Sequence, residues 1–178
     1  MTTPPPPTSS PDPAQPIHTG DVAWTEFHHG DHFAIRYRHL SEATGPQPYK
    51  IGVSIEELAP GKQNNPAHYH LREEEHVLVL DGALTARIGA ARHVMVAGDY
   101  VRFPAGAADG HCLYNHTDVV CRYLVIGDRD PSDVVVYPDS GKVLVRALRT
   151  MLDHTATRDY WHGEAPDPSL PGAAGARG

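Results

Sequence analysis

Apolar and polar residues alternate along most of the middle of this chain, which is the pattern of strands that bury one face. The alternation is clearest where Ile51, Val53 and Ile55 are separated by small or polar residues. Other short β-rich runs lie at 76–80, 83–88, 93–97, 100–103, 119–126, 134–137 and 143–146. A weak helical pattern is confined to 146–154. Many short strands with no helix-period segment between them predict an all-β sandwich or barrel.

The pair Asp81-Gly82 lies directly between two of these apolar runs. An Asp-Gly pair in that position is a strong hairpin signal, because a type I′ turn needs positive φ at both central residues. The sequence therefore predicts that 76–80 and 83–88 form a β-hairpin.

Composition divides the 178 residues into three segments. Residues 1–17 form a Pro-rich arm, and residues 165–178 a tail rich in Pro, Gly and Ala. Neither segment has enough apolar residues to offset the entropy of ordering, so both are predicted to be disordered. Residues 18–164 remain as one domain, which suits the chain length.

Charge and hydropathy exclude several classes of function. The formal net charge is −7 and no cluster of Lys and Arg is present, which argues against nucleic-acid binding. No apolar run approaches the roughly 20 residues of a membrane span, and no secretory signal is evident, so a cytoplasmic protein is expected. The two cysteines, Cys112 and Cys121, are expected to fill the core.

The sequence contains thirteen histidines, and the positions of some of them, rather than their number, indicate metal chemistry. His68 and His70 are two apart, so on a strand both imidazoles face the same side. Glu75 follows within five residues, and neutral imidazoles with one carboxylate suit Fe, Mn, Co, Ni, Cu or Zn. His111 is the candidate for a fourth ligand from elsewhere in the chain. His28, His29 and His32 form a separate cluster, which is expected to be an exposed loop.

These positions resemble the two motifs of the cupin family. Gly61, His68, His70, Glu75 and Gly82 match the first motif, and the second is matched at Gly98, Pro104, Gly106, His111 and Asn115. The loops before His68 and His111 are longer than the family pattern, and loops tolerate such insertions. The resemblance implies a jelly-roll (double-stranded β-helix) barrel with one divalent metal on His68, His70, Glu75 and His111.

Within the acidic run 73–75, the distance to Gly82 selects Glu75 as the ligand, and Glu74 is the alternative. The run as a whole is expected to be a solvated turn. Asn115 is expected to support the backbone. Arginines and tyrosines on predicted strands could contact a substrate, although an outward or core position is expected for each one taken singly: Arg36, Arg38, Arg87, Arg102 and Arg122; Tyr69, Tyr100, Tyr114 and Tyr123.

The expected function is a metal-dependent enzyme that binds a small oxygenated substrate through two oxygens, with a dioxygenase as the favoured reaction. In an isomerase or decarboxylase, Glu75 could leave the metal and act as a base. A small-molecule-binding module without turnover is the remaining alternative. A homodimer is expected, because an all-β domain exposes sheet edges that can pair.

Overall fold

The computed structural model describes residues 15–45, 48–165, 167 and 169, and its elements are almost all strands. The first strands are β1 Thr25–His29, β2 Phe33–His39, β3 Ile51–Leu58, β4 Tyr69–His70, β5 Glu75–Asp81, β6 Ala83–Ile88 and β7 Ala91–Val96. The later strands are β8 Tyr100–Phe103, β9 His111–Tyr114, β10 Cys121–Asp128, β11 Val134–Tyr137, β12 Lys142–Val145 and β13 Thr150–Asp153. The helical elements are α1 Leu40–Ala43 and two 3₁₀ turns, Thr19–Asp21 and Arg146–Leu148.

The strands form two layers. One is a six-stranded sheet in the order β1-β2-β3-β10-β5-β8. The other consists of β13-β12-β11-β4 and β7-β6-β9, which an isolated antiparallel bridge between His68 and His111 connects. Between the layers lies an apolar core that includes Leu58, Val77, Leu84 and Tyr123. The prediction of an all-β barrel is confirmed. No helix among the described residues is long and apolar enough to cross a membrane.

The predicted hairpin at Asp81-Gly82 is wrong. β5 pairs with β10 and β8, whereas β6 pairs with β7 and β9, so the chain passes from one layer to the other at Gly82. Gly82 has the positive φ of +76° that the pattern requires, but Asp81 does not, so a type I′ turn is not formed. A Cβ at Gly82 would lie 2.9 Å from the Val120 carbonyl oxygen, which explains why glycine occupies this corner.

Two other local predictions also need correction. The weak helix at 146–154 is instead the 3₁₀ turn Arg146–Leu148 followed by β13. His28 and His29 are exposed as expected, but they lie on β1 and not in a loop. His32 is exposed in the turn after β1, as expected. Disorder was predicted for the Pro-rich arm and the tail. Residues 1–14 of the arm and most of the tail lie outside the described residues. Cys112 and Cys121 are both buried.

Candidate metal centre

The two halves of the second layer place His68 and His111 opposite each other. The backbone N–H of His68 donates to the His111 carbonyl at 3.1 Å, and the N–H of His111 donates back at 2.8 Å. Their rings have centroids 4.9 Å apart, and the ring of His70 lies 5.1 Å from that of His68. The predicted shared face of His68 and His70 is therefore present.

Glu75 reaches the same place from the first residue of β5 in the opposite sheet. One ligand atom from each of His68, His70 and Glu75 lies within 4.8 Å of the others. His111 stands at the edge of this group, with Nε2 4.0 Å from Glu75 Oε1. The four sequence-predicted residues are thus brought together, three of them tightly.

Hydrogen bonds set the orientation of two imidazoles. His68 Nδ1 donates to the Pro66 carbonyl at 2.9 Å, and His70 Nδ1 donates to Asp133 Oδ2 at 2.7 Å. A proton on Nδ1 leaves the lone pair on Nε2, which is the atom that would bind a metal. The ring of His111 stacks on Phe103 with the centroids 3.7 Å apart. The three imidazoles are therefore oriented by Pro66, Asp133 and Phe103, and not by hydrogen bonds to one another.

Burial keeps two of these imidazoles neutral. Desolvation lowers the pKa of His68 to about 4 and that of His111 to about 3, and neighbouring imidazoles add to both effects. Desolvation also raises the pKa of Glu75 to about 7, with a further contribution from the nearby carboxyl of Glu56. The site thus provides unprotonated nitrogen donors and one carboxyl that loses its proton near neutrality.

The donor set fits a divalent transition metal. His111 Nε2 is buried and has no hydrogen-bond partner among the described residues. A buried polar nitrogen without a partner costs about 1–3 kcal/mol, and an ion at this point would remove that cost. Imidazole nitrogens and a carboxylate suit Fe, Mn, Co, Ni, Cu and Zn.

A second group of polar side chains, Asp133, Glu73 and Arg146, surrounds the Nδ1 side of the His70 ring. Asp133 is fully buried, and Glu73 accepts two hydrogen bonds of 2.7 Å from the Arg146 guanidinium. The expectation that 73–75 is a solvated turn is therefore wrong for Glu73, whose residue is 4% exposed. Glu74, the alternative ligand, instead pairs with Arg102 and His76.

Three of the four candidate ligands open onto a cavity of about 280 Å³, and His111 lies outside its lining. His68, His70 and Glu75 line it together with Glu56, Asn65, Tyr137 and two arginines, Arg129 and Arg146. None of the five arginines considered from strand positions lines this cavity. Arg129 was missed because it follows β10, where no alternation indicates the direction of its side chain. Arg146 was missed because it is shared by the predicted strand 143–146 and the weak helical pattern 146–154, so the sequence does not indicate its face. Asn115 holds the backbone as expected, with Nδ2 donating to the Leu58 and Val119 carbonyls.

An all-β barrel with a His/Glu cluster defines a class of small β-barrels whose side chains could hold a metal ion. A family model described as Cupin domain matches residues 54–127. A structure described as a putative sugar phosphate isomerase from Acidithiobacillus ferrooxidans is 31% identical, covering 70% of this chain and 80% of that one, with a TM-score of 0.66. The chain belongs to the cupin superfamily.

Two further proteins are similar to this chain. A sugar phosphate isomerase structure from Silicibacter pomeroyi is 35% identical over 61% of this chain and 68% of that one, with a TM-score of 0.58. A quercetin 2,3-dioxygenase from Bacillus subtilis is 32% identical over 63 residues, which is 35% of this chain. This chain covers about a fifth of that curated relative's length (19%).

Proposed function

We propose that this protein is a metal-dependent enzyme whose ion is held by His68, His70, Glu75 and His111. One observation carries the proposal: ligand atoms of His68, His70 and Glu75 lie within 4.8 Å of one another in the wall of a cavity. Beside them, His111 Nε2 is buried and has no hydrogen-bond partner among the described residues. Bound at this point, the ion would supply a Lewis acid and a template for two neighbouring oxygen atoms of a small substrate.

Glu56 supports proton transfer as the reaction. Its side chain lines the cavity near Glu75, and Ser54 Oγ donates to Glu56 Oε1 at 2.9 Å. Burial raises the pKa of Glu56, which brings its protonation towards the neutral range in which a general acid or base works best. We therefore favour the isomerisation of a small α-hydroxycarbonyl compound, with Glu56 moving a proton between neighbouring substrate atoms. The names of two structural relatives described above, which are 35% and 31% identical to this chain, agree with this choice.

A dioxygenase is the second candidate. It is supported by the 63-residue match to the quercetin dioxygenase. The cavity gives it less support, because carboxyl, amide and guanidinium groups line much of the wall, whereas a flat aromatic substrate needs apolar walls. A binding module without turnover would need neither Glu56 nor a metal with open positions.

The first experiment measures metal content by elemental analysis of the purified protein, alongside variants His68→Ala and His111→Ala. We expect about one ion per chain, with occupancy falling at least roughly tenfold in each variant. His93→Ala, an exposed histidine on β7, is the matched control and keeps full occupancy. Unchanged occupancy in His68→Ala and His111→Ala would remove the ligand set.

The second experiment separates the reactions. Deuterium uptake from D₂O into hydroxyketones and sugar phosphates, followed by NMR, reports proton transfer, and an oxygen electrode with catechols, diketones and flavonols reports dioxygenation. We expect deuterium uptake that Glu56→Gln abolishes while the metal is retained. Oxygen uptake that survives Glu56→Gln would establish the dioxygenase instead. Absence of both deuterium uptake and oxygen uptake would support a binding module without turnover.

A further inference from the structure

The cavity wall contains two arginines in different electrostatic situations. Arg146 is bound to Glu73 through both terminal nitrogens, so its charge is neutralised within the protein. Arg129 lies on the exposed side of the same cavity. Within 15–45 and 48–165, no carboxylate forms an ion pair with it, whereas Arg36, Arg72, Arg87, Arg102 and Arg122 are each paired.

The polar side-chain neighbour that Arg129 does have is a poor acceptor. Arg129 Nη2 lies 3.3 Å from His39 Nε2. His39 Nδ1 already accepts the Glu42 backbone N–H at 3.3 Å, so in the neutral ring the proton is on Nε2. Desolvation, with the charge of Arg129, lowers the pKa of His39 and keeps the ring neutral. The guanidinium therefore faces a donor, and its N–H groups are left for an acceptor from outside the protein.

The carboxylates around the cavity do not cancel this charge. Glu73 is paired with Arg146, and Glu74 with Arg102. Asp128 Oδ2 accepts the Glu74 backbone N–H. Glu56, one of the two inward carboxyls, accepts a hydrogen bond from Ser54 Oγ at 2.9 Å, and neither Glu56 nor Glu75 forms an ion pair with Arg129 in the described part of the chain.

The cavity also extends past Arg129. An adjoining recess of about 340 Å³ shares Ser54, Glu56, Asn65 and Arg129 with it and continues beneath β1 and β2. A substrate that places one end among the His and Glu side chains therefore has room to carry a second polar group as far as Arg129.

We propose that Arg129 binds the anionic end, a carboxylate or a phosphate, of a substrate whose other end reaches His68, His70 and Glu75. The proposal rests on the proposed metal-dependent function and adds the substrate class: a small oxygenated molecule with a terminal anionic group. A guanidinium forms charge-assisted, bidentate hydrogen bonds with either group, and the phosphate offers more acceptor oxygens.

Three chelating probes test this on protein loaded with Co²⁺, whose visible spectrum reports ligand binding. Acetohydroxamate has no remote charge, succinic monohydroxamate carries a remote carboxylate, and phosphoglycolohydroxamate carries a phosphate. We expect the wild type to bind at least one anionic probe roughly 5- to 20-fold more tightly than acetohydroxamate, a difference typical of one charge-assisted contact. Arg129→Gln removes that preference and leaves acetohydroxamate binding unchanged.

The control is Arg92→Gln, which changes an exposed arginine on β7 outside the cavity and keeps the preference. The ratio between the two anionic probes distinguishes a carboxylate site from a phosphate site. Equal binding of all three probes by the wild type, or a preference that survives Arg129→Gln, overturns the proposal for Arg129 while the metal site stands. Failure of the wild type to take up Co²⁺ overturns the proposed function itself, and this inference with it.

Discussion

Replacing Asp133 by Asn tests whether the hydrogen bond between Asp133 and His70 sets the tautomer of His70. Asp133 Oδ2 accepts from His70 Nδ1 at 2.7 Å, and Oδ1 accepts from the Arg72 backbone N–H at 3.0 Å. Both carboxylate oxygens are therefore acceptors at a position with no solvent exposure. An Asn side chain offers one acceptor and one donor, so it cannot satisfy both partners in the same tautomer.

Two outcomes are possible for the Asn side chain. If its oxygen stays on the Arg72 N–H, its amide donates to His70 Nδ1 and moves the ring proton to Nε2, where the metal would bind. If its oxygen turns to His70, two donors face each other at Arg72, which costs about 1–3 kcal/mol of folding free energy. Loss of such a supporting contact lowers metal affinity by roughly 10- to 100-fold, or about 1.4–2.7 kcal/mol.

The assay is a competition titration of Co²⁺ or Zn²⁺ against a chelator of known affinity, combined with urea unfolding of the metal-free proteins. Asp139→Asn is the control, because Asp139 pairs with Arg87 at the surface and away from the site. Wild-type affinity and wild-type stability in Asp133→Asn would together refute the assigned role of Asp133.

Two further predictions concern protonation and the corner between the layers. Glu75 holds a proton below its pKa of about 7, while His68 and His111, with pKa values of about 4 and 3, do not, so metal binding must displace the Glu75 proton. Apparent Co²⁺ affinity should rise about tenfold per pH unit up to about pH 7 and then level off; a flat profile from pH 5.5 to 8.5 contradicts this. Gly82→Ala should lower the free energy of unfolding in urea by about 2–3 kcal/mol, because its Cβ would meet the Val120 carbonyl in addition to the cost of positive φ. Gly141→Ala, which has positive φ in open space, should cost about 1 kcal/mol, and equal losses would show that the contact is unimportant.

The sequence was sufficient to predict the fold class and to place His68, His70, Glu75 and His111 in one site. Strand periodicity indicates which side chains share a face, and the resemblance to the two cupin motifs implies which segments meet. Both signals are local, so they failed where the partner strand decides the outcome. The Asp81-Gly82 pair has the composition of a hairpin, yet the strands on either side of it join different layers.

The supporting residues could not be predicted for a related reason. Asp133 reaches His70 because β11 pairs with β4, where Val135 lies opposite His70. The sequence predicts β11 as a strand but does not indicate its partner strand. From the sequence alone, Asp133 is therefore predicted to be an ordinary turn residue. Arg129 and Arg146 lie just beyond strand ends, where the direction of a side chain depends on tertiary packing. Glu73 is buried with hydrogen bonds from Arg146, 73 residues away, and from the Asp130 backbone N–H, which the local sequence does not indicate.

Because the backbone bridge between His68 and His111 anchors His111, the long loop before it can change in length and sequence. Gly106 N–H donates to the His70 carbonyl at 2.8 Å, and His111 is fixed by its two hydrogen bonds to His68. Only 107–110 run between these two anchors, and Ala108 and Asp109 are exposed. The backbone of His111 is thus held by these hydrogen bonds and not by the loop alone, which explains how the motif accommodates extra residues. The same anchoring makes this short segment a suitable insertion point for a peptide tag or reporter that leaves the ligand geometry intact.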